Sequence, residues 1–118
     1  MRPLVACLCA AWCGACREYR ATFDALAAQF GAAADFAWID VEDDADALGD
    51  PDIEDFPTLL IADVGGPRFL GPVTPQAQTA ERLIRGALAG ELAVTADQAL
   101  AARVRAVVAA RADPAADA

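Results

Sequence analysis

Four cysteines lie close together near the start of the chain, at Cys7, Cys9, Cys13 and Cys16, and the 118 residues contain no others. A secreted disulfide framework spreads its cysteines along the sequence to join distant loops, and nothing after Cys16 could be joined here. A chain of this length can also bury a core without disulfides. The cluster therefore indicates local chemistry or local packing.

The composition excludes several other kinds of chemistry. The formal net charge is −9, so we expect no nucleic-acid partner. Histidine is absent, which removes Ser-His and Cys-His catalytic pairs and the commonest metal ligand. No stretch reaches the roughly 18 apolar residues of a membrane span, and the apolar run at 4–12 is too short for an export signal. We expect a cytoplasmic protein without a cofactor or membrane partner that uses cysteine or carboxylate chemistry.

Apolar patterns predict the elements that must position the thiols. Residues 3–9 are typical of a buried strand, and residues 15–30 have a helical period that ends at Gly31. Further strands are predicted at 35–41, 58–62 and 68–70, with a helical turn at 45–48 and a hairpin turn at 64–67. This order indicates an α/β fold with a parallel pair of strands followed by antiparallel strands.

Two more helices are predicted after the strands. Thr74 and Pro75 have the form of an N-cap and a first helical residue. The segment 95–98 has the form of a capping box before a last helix. The inner faces of the two helices carry Ala80, Leu83, Ile84, Ala87 and Leu88, and then Leu100, Val104, Val107 and Val108. We expect the tail from Asp113 onward to be disordered.

Cys13 and Cys16 lie at the junction between the first strand and the first helix. Two cysteines three positions apart on a helix share a face, which brings their sulfurs within reach of a disulfide. Cys13 lies at the helix N-terminus, where unpaired N–H groups and the helix dipole stabilise a thiolate. We predict that Cys13 is the nucleophile and that Cys16, sheltered one turn later, resolves a mixed disulfide formed at Cys13.

Two motifs resemble the thioredoxin family over roughly residues 3–89. Residues 12–16 (WCGAC) match the family's WCGPC active site at four of five positions, and residues 52–60 (DIEDFPTLL) match the stretch with its cis-proline. The resemblance implies a thioredoxin-like α/β fold, with a mixed four-stranded central sheet flanked by helices and an extra C-terminal helix. We assign residues 1–90 to this domain and 91–118 to a helical extension with the disordered tail.

The resemblance also implies a function and a substrate groove. The function is that of a thiol–disulfide oxidoreductase, a protein-disulfide reductase that acts on protein disulfides and receives electrons from a donor such as a thioredoxin reductase. Pro57 would be the cis residue that faces the redox-active dithiol, and Gly71 would form a third rim of the groove. The substrate-binding residues implied are Trp12, Gly14, Ala15, Phe56, Pro57 and Gly71.

The chain departs from the family in ways that affect these expectations. Cys7 and Phe36 occupy the positions of the family's buried aspartate and its lysine partner, so the proton relay is absent. Burial should raise the pKa of Cys7 and make it a poor base. The family's first strand and helix have no counterpart, which leaves the apolar strand at 36–40 at an edge. That edge must be covered by the C-terminal helix or by a partner, a second copy of the chain included.

Other interpretations of the cysteines remain open. Cys7 and Cys9 point to the same side of the first strand and are interpreted as packing residues. A four-cysteine metal or iron–sulfur site is the alternative for the whole cluster. A non-enzymatic thioredoxin-like binding module or assembly factor is the alternative for the function. The acidic run at 40–55 is interpreted as a solvated face.

Overall fold

The first strand lies at the centre of the fold and is buried along its whole length. In the computed structural model, which describes residues 2–49, 53, 57–95 and 97–112, eight main elements follow one another. They are β1 (Leu4–Cys9), α1 (Gly14–Phe30), β2 (Asp35–Asp40), α2 (Ala45–Leu48), β3 (Thr58–Asp63), β4 (Gly66–Pro72), α3 (Ala77–Leu88) and α4 (Gln98–Ala112). A 3-10 turn, Gly31–Ala33, joins α1 to β2.

The strands form one mixed sheet in the order β2-β1-β3-β4. β1 and β2 are parallel, while β1 with β3 and β3 with β4 are antiparallel. The sequence of β1, LVACLC, is apolar at every position, which suits a central strand with both faces covered. The mixed four-stranded sheet predicted from the sequence is confirmed.

Helices cover both faces of the sheet. Alternate residues of β1 separate the two layers, because successive side chains on a strand point to opposite faces. One cluster of buried residues joins Val5, Cys7 and Cys9 to the inner faces of α1 and α3. The other joins Leu4, Ala6 and Leu8 to α2 and to Ala101, Val104 and Val107 of α4. The cysteines of β1 therefore lie beneath α1.

The helix ends differ in part from the predicted ones. α1 ends at Phe30 with Gly31 as its C-cap, as predicted, and this glycine has φ 54°, which suits a residue without a Cβ. α3 begins at Ala77 and not directly after Thr74, so the predicted N-cap is wrong. Thr74 and Thr79 share a hydroxyl hydrogen bond of 2.6 Å, which uses the group that would have capped the helix. α4 begins at Gln98, the last residue of the predicted capping box.

The last helix covers a face of the sheet, whereas the sequence left either this helix or a partner as the cover of the β2 edge. Its buried residues pack on the layer that contains Ile39 and Leu60. Near its C-terminal end, Arg111 reaches β2 and donates to the Trp38 carbonyl oxygen at 2.8 Å. Dimerisation through this edge stays a prediction. Among the helices of the described segments, none is long and apolar enough to cross a membrane.

Candidate active site

Cys13 lies between the end of β1 and the start of α1. Its backbone N–H donates to the Ala10 carbonyl at 3.0 Å, which closes the turn after the strand. Cys13 is the N-cap residue, with extended backbone (φ −84°, ψ 117°), and its side chain makes no capping hydrogen bond. The thiol is half-buried and free. A free sulfur therefore lies beside the unpaired N–H groups of a helix start.

Arginine side chains bring positive charge to the first turns of α1. Arg17 Nη1 donates to the Ala11 carbonyl at 3.0 Å, so its guanidinium is held over the turn that leads to Cys13. Arg20 stacks on the Trp38 ring, with 4.8 Å from its Cζ to the ring centroid. The first turn of α1 contains no acidic residue. Arg20 also pairs with Asp24 at 3.6 Å, so Arg17 and the N-terminal end of the helix dipole supply the positive charge at the helix start.

Cys16 is buried and is bonded to Cys9 by a disulfide, with their Cα atoms 5.9 Å apart. The interpretation of Cys9 as a packing residue is therefore incomplete, because its sulfur is covalently joined to the predicted resolving cysteine. The strand and helix layers meet at this point, since Cys16 is the first buried residue of α1 and Cys9 the last residue of β1. The roles of Cys13 as nucleophile and Cys16 as resolving cysteine stay predictions.

Cys7 lies deeper along the same face of β1. Its Sγ is 3.6 Å from the Sγ of Cys9, and its side chain is fully buried. Burial raises the pKa of the Cys7 thiol to about 12, and the charge of Arg20 opposes this in part. The expectation that burial raises this pKa is confirmed. Cys7 is therefore a neutral thiol at physiological pH and a poor base.

The residues predicted to bind substrate beside the cysteines lie on the surface. Trp12 is 65% exposed, and its indole N–H donates to a carboxylate oxygen of Glu42 in the loop after β2. The Glu42 backbone N–H in turn donates to Asp40 Oδ1 at 2.9 Å. Gly14 and Ala15 form the exposed first positions of α1. A partner could approach Cys13 over all three predicted residues.

Pro57 and Gly71 lie at the same end of the sheet as the cysteines. Leu8 pairs with Thr58 in the antiparallel register, so Pro57, before Thr58, lies next to Cys9, after Leu8. Gly71 pairs with Leu59 on the next strand. Pro57 is buried, and its carbonyl accepts from the Val73 N–H at 3.1 Å. The cis state of Pro57 stays a prediction, and Phe56 lies outside the described residues.

A pocket of about 270 Å³ opens beside Cys16. It is lined by Ala10, Ala11, Cys16, Arg17, Arg20, Trp38 and Asp40. Tyr19, one turn beyond Cys16, is buried with it, and its hydroxyl has no hydrogen-bond partner among the described residues. Across the same described ranges, no three cysteine or carboxylate side chains are placed to hold a metal ion. The arrangement can perform thiol–disulfide exchange.

Sequence reasoning missed Cys9 as a partner of Cys16, although a signal was present. The apolar period of α1 was followed from Tyr19 through Phe23 to Leu26, all of which are buried. The same period extended three residues back reaches Cys16. Because α1 packs on the face of β1 that carries Cys9, the full stripe would have placed the two sulfurs in one layer.

Comparisons with known proteins agree with this geometry. The thioredoxin family model matches residues 2–84. The fold is similar to that of thioredoxin from Trypanosoma brucei brucei (TM-score 0.64, 20% identity, 75% of this chain and 76% of that chain). It is also similar to the germline-specific thioredoxin Deadhead from Drosophila melanogaster (TM-score 0.63, 19% identity, 71% and 79%). A third similar structure is the thioredoxin NaTrxh from Nicotiana alata (TM-score 0.61, 25% identity, 71% and 71%). No curated protein sequence matches.

Proposed function

Because the chain belongs to the thioredoxin family, we propose that it is a thiol–disulfide oxidoreductase that acts on disulfides of other proteins. One observation carries the proposal: Cys13 is a free thiol at the N-terminus of α1, one helical turn before a second cysteine that is in a disulfide. An accessible thiol at a helix start is the arrangement that attacks disulfides.

The proposed reaction proceeds in two exchange steps. The Cys13 thiolate attacks one sulfur of the substrate disulfide, and the other substrate sulfur leaves as a thiolate. Cys16, once reduced, then attacks the Cys13 sulfur and releases the rest of the substrate, which leaves a Cys13–Cys16 disulfide. An electron donor such as a thioredoxin reductase restores the two thiols. These steps belong to a reducing compartment, which supports a cytoplasmic location.

Substrate binding is proposed along the rim formed by Trp12, Gly14 and Ala15 on one side and Pro57 and Gly71 on the other. The exposure of Trp12 and the shared sheet end of Pro57 and Gly71 support this assignment. Trp12 is also tied to Glu42, which gives that wall of the groove a defined orientation. An extended peptide passing between the two sides would present its disulfide to Cys13.

A binding module without redox activity is the second candidate. One observation favours it: the predicted resolving cysteine is bonded to Cys9 in this structure, so that Cys16 is not free to resolve a mixed disulfide. The two candidates predict opposite results in a reduction assay.

The test is reduction of insulin disulfides with dithiothreitol as electron source. We expect the chain to accelerate the reaction and the Cys13→Ser variant to lose the acceleration by at least about a hundredfold, since the attacking thiolate is gone. The matched control is Cys7→Ser, which removes a buried thiol next to Cys9 on the same face of β1. A chain that is folded, fully reduced and silent would support the binding module.

A further inference from the structure

Three of the four cysteines meet in one buried layer, and the fourth borders it. Cys7, Cys9 and Cys16 belong to a single cluster of buried residues, against which the half-buried Cys13 packs. Cys16 lies one helical turn after Cys13 and is bonded to Cys9. Cys16 is therefore the common neighbour of an accessible sulfur and a buried one.

We propose that Cys9 is a third redox cysteine. By disulfide exchange it replaces Cys13 as the partner of Cys16, so that the disulfide moves from the helix start into the core. This inference rests on the proposed function, because it takes Cys13 as the attacking thiol. Its new content is the role of Cys9 and the existence of a second oxidised state with Cys13 free.

The exchange conserves atoms and electrons. The Cys9 thiolate attacks Cys16 Sγ within the Cys13–Cys16 disulfide, the Cys9–Cys16 bond forms, and the Cys13–Cys16 bond breaks. The electron pair of the broken bond leaves on Cys13 as a thiolate. The proton that Cys9 lost is balanced by the proton that Cys13 can take from water. Both isomers contain one disulfide, so no oxidant or reductant is consumed.

The geometry of the backbone permits both bonds in turn. The Cα atoms of Cys9 and Cys16 are 5.9 Å apart, within the usual range for an unstrained disulfide. Cys13, the N-cap residue of α1, is three residues before Cys16 and packs against the cluster that contains it, and cysteines with this spacing at a helix start form disulfides. Cys16 can therefore change partner without movement of β1 relative to α1.

Cys7 does not compete with Cys9 for Cys16. The two thiols are neighbours on the same face of β1, but Cys9 is the last residue of the strand and is bonded to Cys16, whereas Cys7 lies two residues further back and is free. Cys9 is therefore the cysteine of β1 that is placed to reach Cys16. This makes Cys7 a matched control for Cys9, since it has the same side chain, strand and face.

The exchange changes what the protein can do next. Cys9 and Cys16 are only 1% and 2% exposed, so the transferred disulfide is sheltered from an external reductant. Cys13 becomes accessible again and can attack a second substrate disulfide. That mixed disulfide has no free resolving thiol, because Cys16 is held by Cys9. The oxidised chain should therefore retain a protein disulfide substrate covalently at Cys13.

The test counts reactive thiols in the oxidised chain. The full chain is oxidised with one equivalent of diamide, and the reagent is removed. The folded protein is then treated with N-ethylmaleimide, and mass spectrometry counts the labels added. We expect one label in the parent and in Cys7→Ser, because Cys13 is free in both. We expect no label in Cys9→Ser, where Cys13 stays bonded to Cys16. Labelling of fewer than about half of the parent molecules, or equal labelling of parent and Cys9→Ser, overturns the inference.

A second variant tests the inference even if Cys9→Ser does not fold. The double variant Cys7→Ser/Cys13→Ser keeps only Cys9 and Cys16 and should form a disulfide on oxidation; a chain that stays fully reduced contradicts the inference. Failure of the proposed function is distinguishable, because parent and Cys9→Ser would then both be silent in insulin reduction. If only the inference is wrong, the parent and Cys9→Ser both reduce insulin, and their oxidised forms take up the same amount of N-ethylmaleimide.

Discussion

The sulfur of Cys7 lies 3.6 Å from the sulfur of Cys9, and Cys9 is bonded to Cys16. Since a disulfide sulfur carries no proton, Cys7 is the donor in this contact. The position is fully buried, and the S–H group is a weak donor. The contact therefore contributes packing and a weak hydrogen bond, and it contains no charge at neutral pH.

Replacement of Cys7 by alanine should accordingly affect stability more than catalysis. We expect Cys7→Ala to lower the free energy of unfolding by roughly 1–2 kcal/mol, from the loss of a buried sulfur. The rate of disulfide exchange should stay within a fewfold of the parent, because no proton acceptor is removed. Urea unfolding and insulin reduction measure the two effects. A hundredfold loss of exchange in a folded variant would show that Cys7 takes part in the reaction.

The proposed roles of Cys13 and Cys16 predict different behaviour of their serine variants. Cys16→Ser should accumulate mixed disulfides with substrate proteins, because the attacking thiolate survives and its resolving partner is gone. Cys13→Ser should trap nothing. The measurement is non-reducing electrophoresis after incubation with a disulfide-containing protein. Equal trapping by both variants, or by neither, contradicts the assignment.

Tyr19 presents a buried hydroxyl without a hydrogen-bond partner among the described residues. A buried hydroxyl that is not hydrogen-bonded destabilises the fold. We expect Tyr19→Phe to keep the ring packing and to raise the free energy of unfolding of the Cys9–Cys16 form by roughly 0.5–1.5 kcal/mol. Urea unfolding of the oxidised chain measures the change. A loss of stability would reveal that the hydroxyl has a partner in solution.

The packing of α4 on the sheet predicts that Val104 contributes much more to the free energy of unfolding than Val64 does. Val104 is fully buried against the sheet, whereas Val64 in the β3–β4 turn is 79% exposed. We expect Val104→Ala to lower the free energy of unfolding by roughly 2 kcal/mol through lost burial and a cavity. Val64→Ala, the matched control, should change it by less than about 0.5 kcal/mol. Similar effects of the two changes would mean that α4 does not pack on the sheet in solution.

The sequence allowed the sheet and most element boundaries to be predicted because their signals are local. The apolar run of β1, the helical period before Gly31 and the turn signal at 64–67 each depend on neighbouring residues. Thr74 shows the limit of such signals. Its hydroxyl can serve as a helix cap or bond to another side chain, and in the fold it bonds to the hydroxyl of Thr79.

The candidate site was predictable only where its residues are neighbours in sequence. The spacing of Cys13 and Cys16 indicates a shared helix face without knowledge of the fold. The Cys9–Cys16 bond depends on how α1 packs on β1, a contact between layers that spacing alone does not specify. The placement of α4 depends in the same way on Leu48 and Ile39, with which its buried residues form a cluster.

Two buried acids of the core predict how stability depends on pH. Burial raises the pKa of Cys7 to about 12, and burial together with the nearby Cys7 charge raises the pKa of Tyr19 to about 12. In the unfolded chain these groups lose their protons near pH 8.5 and near pH 10, respectively. Between those values and about pH 12 the unfolded chain therefore binds fewer protons than the folded one, and stability falls as pH rises.

The expected decline is measurable and can be assigned to one residue at a time. Each group contributes a slope of up to about 1.4 kcal/mol per pH unit, beginning near pH 8.5 for Cys7 and near pH 10 for Tyr19. Below about pH 8 neither group contributes to the pH dependence of stability.

Urea unfolding of parent and Cys7→Ala should be compared from pH 7 to pH 10, with a phosphine reductant present so that no disulfide rearranges. The stability difference between the two chains should shrink or reverse above about pH 8.5, because only the parent carries the buried thiol. A difference that stays constant to pH 10 would show that Cys7 titrates alike in the folded and unfolded chains, and hence that it is not buried in solution.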